Sequence, residues 1–421
     1  MKDSISVLRI VAAGLALLAT GRLVAADWPQ WRGPQRNGVS AETSLLEEWP
    51  QQGPRLVWRV GKIGSGYSTP AVVGQQIYLL ANQGLDNELV QARAVADGEQ
   101  IWSTRIGKVG NPDQQPNYPA ARSTPTVDGR FLYVLGSNGD LVCLETGAGK
   151  VRWRKNLRRD FGGQPGKWAY AESPLIDGDV LVCTPGGNTA TLVALKKSTG
   201  ATVWKCAIPA GGEAAYASAI VVQSDGIRQY VQILQKGLVG VEAKTGKLLW
   251  RYGRTAQGSP AVIPTPVAEQ VSIYSAGARS GGGLVRLKVQ QGAVDAEELY
   301  FSPKLPTGVG GTVEVGNFLY GTTSQALLCA EFATGKVRWA EHALGAASLC
   351  YADGRLYLHG ENGDLALVEA TPQAYREKGR FTPPDQPDRG QSKAWAYPVV
   401  ANGRLYIRDL DVLWSYDVKK P

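Results

Sequence analysis

The chain has 421 residues, with 45 Lys and Arg against 37 Asp and Glu, so its formal net charge is only +8. That surplus is modest for the length and describes a solvated surface, not a nucleic-acid footprint, so no nucleic-acid partner is expected. Glycine occurs 51 times, tryptophan 12 times, methionine once and histidine twice, which points to a turn-rich all-β protein and excludes a three-histidine metal site.

Residues 1–26 read as a secretory signal peptide. Lys2 and Arg9 flank the start of an apolar stretch from Ile10 to Ala19, and Val24-Ala25-Ala26 offers the small residues a signal peptidase needs. The apolar run is too short to span a bilayer, so the product is expected in the periplasm or secreted, not integral to the membrane. Arg22 leaves an uncleaved anchor as the alternative. No Cys lies near the cut, which argues against a lipid anchor. Residues 27–53 follow as an extension carrying "WPQWRGP", with Trp28 and Trp31 expected to anchor it across the side or face of the next domain, or to serve as a docking tag.

From residue 54 to 421 one unit recurs. "AKTGKLLW" (243–250) and "FATGKVRW" (332–339) are two copies of it. The tryptophan falls at Trp58, Trp102, Trp153, Trp204, Trp250 and Trp339, and degenerate copies put Tyr300 and Phe381 in the same register. Upstream of each turn lies a short apolar strand such as "LVCLE" or "GLVGVE". Before that comes an Asp-Gly-type hairpin, as in "TPTVDGRFLYVLG". Glycine suits such tight hairpins because it accepts positive φ without a Cβ clash. Each unit is therefore four short antiparallel strands, named A to D from the inside out, with the period of a propeller blade. The last unit, "AWAYPVVANGRLYIRDLDVLWSYDV", has A, B and C but no D. "PRLVWRV" (54–60) is a D strand with nothing before it. Ring closure by the N-terminal strand removes the open edge and gives an eight-bladed β-propeller over 54–421, or seven blades if the degenerate copies do not count. The outer-strand tryptophans are expected to staple neighbouring blades.

The repeat "AxxxTGKxxW" resembles the PQQ-type propeller repeat shared by quinoprotein alcohol dehydrogenases and the propeller of the outer-membrane assembly machinery. The segment "DWPQWRGPQRNGVS" (27–40) is similar to the start of secreted bacterial PQQ-repeat propellers. The resemblance covers the whole mature chain and implies the fold. It also implies an alternative activity, PQQ-dependent oxidation of an alcohol or sugar-like substrate with Ca²⁺. The dehydrogenases bring a vicinal Cys pair, a Glu/Asn/Asp set for Ca²⁺ and often a C-x-x-C-H haem domain. Here Cys143, Cys183, Cys206, Cys329 and Cys350 include no vicinal pair and no C-x-x-C-H, and Glu172 and Asn188 are scattered Ca²⁺ candidates. The cysteines read as small buried apolar residues. No cofactor and no metal site is therefore expected.

Successive strands run up and down, so the A–B hairpins and every C–D turn share one face. The B–C loops and the long D–A crossovers (105–122, 155–172 and 379–397) share the other, where function is expected. Residues just before each A strand should surround the channel mouth: Tyr67, Arg122, Trp168, Tyr170, Glu172, Tyr216, Trp395 and Tyr397, with Arg279 on a nearby loop. Aromatics with Arg and Glu suit a planar ligand, a sugar or a peptide segment; the alternative is that they plug the channel and satisfy one another. His342 and His359 give no catalytic triad, and "GKIGSGYS" opens a strand, not a helix, so it is no phosphate cradle. The reading is a monomeric, exported, non-catalytic scaffold that holds a protein partner or small-molecule ligand on its loop face. An assembly factor-like propeller that adds a client strand to an exposed edge is a further alternative.

Overall fold

The computed structural model describes residues 26–114 and 121–421; the signal-peptide reading of the N-terminus lies outside them. Among the described residues the strands form eight four-stranded antiparallel sheets, the blades of a propeller. Blades 1 to 7 occupy residues 71–107, 126–156, 175–206, 220–252, 267–302, 312–341 and 347–381. Blade 8 takes A, B and C from Val399–Ala401, Arg404–Asp409 and Val412–Asp417, and its D strand is Arg55–Val60. That N-terminal strand pairs from Arg55 opposite Asp417 to Val60 opposite Leu413. The ring is closed by the chain's own start, and the sheet edge at the seam is paired.

The repeated tryptophan and the repeated glycine are two halves of one contact. The indole N–H of Trp58 donates to the carbonyl of Val95 at 2.9 Å, Trp102 to Thr146 at 2.8 Å, Trp153 to Lys197 at 2.9 Å, Trp204 to Ala243 at 3.0 Å and Trp339 to Thr371 at 2.8 Å. Each acceptor lies at the C–D turn of the next blade. In blade 5 the Tyr300 hydroxyl makes the same bond to Phe332 at 2.8 Å. The turn glycine supplies the seat. At Gly246, with φ +76°, an added Cβ would meet the Trp204 ring at 2.6 Å, and at Gly149, with φ +64°, the Trp102 ring at 2.4 Å. Only glycine offers both the positive φ and the bare surface. Cys143 and Cys329 sit directly opposite Trp153 and Trp339 on the neighbouring strand, and all five cysteines are buried and unbridged.

Two blades depart from the pattern. Blade 5 extends its C and D strands to Gly281–Gln290 and Ala293–Ser302, and a Cβ added at its turn glycine, Gly292, would meet nothing within 4 Å. The indole N–H of Trp250 turns instead to Gln229 of its own blade at 2.5 Å, over Gly240. In blade 7 the C–D turn is two residues longer, the Glu369 N–H donating to Arg376 where the Glu145 N–H of blade 2 donates to Lys150. Gly379, not Phe381, takes the register that tryptophan holds elsewhere: Gly379 opposes Leu367 just before the irregularity common to the blades, as Trp153 opposes Cys143. The expected register of Phe381 is therefore displaced by two residues. An indole still fills the slot, but it is Trp49 from the N-terminal extension. Its backbone N–H donates to Lys378 at 2.7 Å, and its ring lies 5.9 Å from Tyr357 and 5.4 Å from Phe381.

The rest of the extension crosses the face of the A–B turns. Trp28 exchanges two backbone hydrogen bonds with Val72 of blade 1, and Pro29 accepts from Val127 of blade 2. The buried Arg36 guanidinium donates to the carbonyls of Ser173 and Pro174 in front of blade 3, and the buried Arg32 to that of Thr312 in blade 6. Ser40 and Gly38 bond Tyr351 of blade 7, and Glu42 accepts the N–H groups of Asn402 and Gly403 in blade 8. Among the described residues no helix is long and apolar enough to cross a membrane.

Because seat and indole are one contact, Trp204→Ala is expected to cost about 3–5 kcal/mol in urea denaturation, and Gly246→Ala more than about 1 kcal/mol. The double variant should lose less than the sum of the two, since both changes break the same contact. Additive costs would contradict the shared seat.

Candidate functional site

The A strands converge on the axis, and the residue four positions before a strand turns toward the channel. Tyr67, Arg122, Ala171, Tyr216, Ile263 and Trp395 hold that position in blades 1, 2, 3, 4, 5 and 8. Two positions before the strand, the chain is tied around the ring. The Thr124 N–H donates to Ser173 Oγ, Ser173 N–H to Ser218 Oγ, Ser218 N–H to Thr265 Oγ1, and Tyr397 N–H to Thr69 Oγ1. The Ser/Thr that recurs before the A strands of blades 1 to 5 thus fixes the backbone from which their lining side chains project.

These side chains enclose a cavity of about 280 Å³ at the loop-face mouth, completed by Trp31, Trp168, Ala261, Val309 and Tyr397. Its walls are aromatic. Tyr67 and Trp395 pack with ring centroids 4.9 Å apart, Trp168 and Tyr216 at 6.0 Å, and Trp31 meets Tyr397 edge-on at 4.6 Å. Two polar ends of the walls are held: Trp395 Nε1 donates to Glu361 at 2.8 Å, and the Tyr397 hydroxyl donates to the Val309 carbonyl at 2.8 Å. Arg122 is the lining cation. It donates to the Trp168 carbonyl at 2.9 Å and its guanidinium lies 5.9 Å from the Tyr67 ring centre. Burial lowers its pKa, opposed by Tyr67 and Glu88, so an acceptor in the cavity would meet an incompletely solvated positive charge.

Of the residues singled out in the sequence, Tyr67, Arg122, Trp168, Tyr216, Trp395 and Tyr397 come together here. Tyr170 and Glu172 do not, because they flank Ala171 and strand-like alternation turns them away from the axis. Tyr170 is buried between blades and donates to the Pro185 carbonyl at 2.8 Å. Glu172 is buried, accepting from Thr184 N–H at 2.7 Å, Thr184 Oγ1 and Gln232 Nε2. Arg279 lies exposed in the turn between the B and C strands of blade 5, outside the cavity lining. Reading by chain proximity missed Ala171, Ala261, Ile263, Val309 and the floor residue Trp31. Counting four back from each A strand would have found Ala171 and Ile263; nothing local marks Trp31.

The donor set does not suit a Ca²⁺–quinone cofactor. Among the described residues the lining holds one guanidinium and no carboxylate, and no three His, Cys, Asp or Glu side chains gather in a metal-binding group, where Ca²⁺ takes about six to eight oxygens. Glu172 is engaged by Thr184 and Gln232 and lies outside the cavity lining.

The family model described as outer membrane protein assembly factor BamB matches residues 39–164, 86–191 and 169–374. BamB of Salmonella typhimurium is 27% identical over 141 residues, 33% of this chain and 31% of that protein, so the matched stretch spans about a third of that curated relative. BamB from Moraxella catarrhalis superposes with a TM-score of 0.61 at 16% identity, over 87% of this chain and 98% of that one. Quinohemoprotein alcohol dehydrogenase from Comamonas testosteroni gives 0.69 at 12% identity, over 94% and 81%. Identities this low speak to the fold alone.

Burial raises the Glu172 carboxyl from 4.5 to about 7, with Thr184 and Arg36 opposing the rise. The folded chain therefore holds a proton that the unfolded chain has released between those values, and this site's contribution falls as pH rises through that window. Urea denaturation at pH 5, 6, 7 and 8 should show wild type losing stability relative to Glu172→Gln as pH rises. A pH-independent difference would contradict the assignment.

Proposed function

The chain belongs to the family described as outer membrane protein assembly factor BamB, and within it we propose an exported, non-catalytic binding platform whose ligand enters the loop-face mouth. One observation carries this reading: Trp31, Tyr67, Trp168, Tyr216, Trp395 and Tyr397 converge on one cavity with Arg122 as its lining cation. Aromatic faces hold planar or apolar bodies by area burial and ring contacts, and a guanidinium adds direction through a carboxylate or another acceptor. The ligand that matches is a planar apolar group bearing an anionic end, free or carried at the tip of a partner. Among the described residues the lining contains no nucleophile with an adjacent base, and capture is the chemistry proposed for it.

A second reading follows from the family match over residues 39–374 and from the outer strands. Leu56, Ile101, Val203 and Val337 are exposed there, on strands whose outer edges could pair with an extended segment of a client polypeptide. This is the assembly-factor reading, with a cell-envelope location.

Calorimetric titration of the purified full chain with 2-naphthoate and with neutral naphthalene-2-carboxamide tests the first reading. Saturable binding is expected. Arg122→Gln should weaken naphthoate about tenfold and the amide by much less, and Trp395→Ala should weaken both by about threefold or more. No saturable binding of either probe would overturn the ligand reading. An envelope protein retained by the intact chain and lost with an Arg122/Trp395 double variant would show that a partner carries the ligand.

A further inference from the structure

The extension does more than brace the ring. Resting on the ligand reading above, we infer that Trp31, delivered through the opposite face, is a ligand-contacting residue that sets the depth and specificity of the cavity. The site is complete only when the extension is docked.

Three sets of observations converge. First, Trp31 is half-buried and lines the cavity with the loop-face residues, although its own segment crosses the A–B turn face. Second, its ring is aimed. Its indole N–H donates to Thr265 Oγ1 at 2.9 Å, and the ring meets Tyr397 edge-on at 4.6 Å with an interplanar angle of 67°. That hydroxyl is a member of the Ser/Thr ring around the axis, since it also accepts the Ser218 N–H. The floor and the walls are therefore registered by the same atoms. Third, the residues on either side are locked. Arg32 and Arg36 are fully buried and bond carbonyls of blades on different sides of the axis, and at Gly33, with φ +81°, an added Cβ would meet the Trp28 ring at 3.0 Å, so the turn there needs glycine. Such anchoring holds one indole in one place and turns a through-channel into a blind pocket. A ligand entering from the loop face would end against the indole, with Tyr397 beside it and Arg122 above.

The test uses the full chain and 2-naphthoate. Trp31→Ala is expected to raise the naphthoate Kd by about tenfold, and Trp31→Phe, which keeps a ring floor, by about threefold or less. A merely structural residue would not show rescue by Phe in affinity at matched stability. Hydroxyl-radical footprinting of wild type supplies a readout that needs no variant. Saturating naphthoate should cut oxidation of Trp31 several-fold and leave Trp28 unchanged. Trp31→Ala binding as tightly as wild type, or Trp31 oxidation unchanged by bound naphthoate, overturns the inference while the ligand reading stands. Absence of naphthoate binding by wild type overturns both.

Discussion

The ring depends on a seat. A turn glycine in one blade, held at positive φ, leaves a bare surface on which the indole or phenol of the previous blade lies, and the neighbouring carbonyl takes its polar hydrogen. A buried aromatic of this size removes about 150–250 Å² from water, and pairing its polar atom avoids the penalty of burying that group alone. Because each contact joins successive blades, the sequence needs only a short motif at a regular spacing. The axial positions then carry none of this stapling, and side chains as unlike as Tyr67, Arg122, Ile263 and Trp395 can occupy equivalent places there.

The N-terminal extension shares that physics. Blade 7 lacks a tryptophan in its outer strand, and Trp49 arrives from outside the repeat to stand over Gly379. At the axis Trp31 closes the channel that an eight-fold ring leaves open. Buried guanidiniums are costly unless their donors are used, so the Arg32 and Arg36 bonds to backbone carbonyls specify where the extension can lie. Scaffold and extension are thus one folding problem, with the first strand closing the last sheet and the preceding residues sealing the face beside it.

Much of the architecture was legible because it is periodic. The Trp spacing, the Asp-Gly hairpins and the orphan strand at 54–60 were enough for an eight-bladed propeller closed by its N-terminus, as the sheet order shows. What escaped was aperiodic. The C–D turn of blade 7 is two residues longer than that of blade 2, so Phe381 falls two residues past the tryptophan register, although its ring still lies against the turn glycine Gly53 ahead of blade 8's outer strand. Tyr170 and Glu172 stand one residue either side of the lining Ala171, and alternation sends them into the interior. Chain proximity to the mouth could not separate the two sides without the register of the A strand. Trp31 meets Thr265 from 234 residues away, a pairing that only the closed ring creates. Arg279 was placed by its loop, and that loop lies outside the cavity.

The ring presents an aromatic pocket at its loop-face mouth, floored by the extension. A crystal structure of the full chain grown with 2-naphthoate tests it most directly. The naphthyl rings are expected among Trp168, Trp395 and Tyr397, ending on Trp31, with the carboxylate toward Arg122. Naphthoate bound elsewhere, with this cavity empty of it, would rule out the mouth as the binding site.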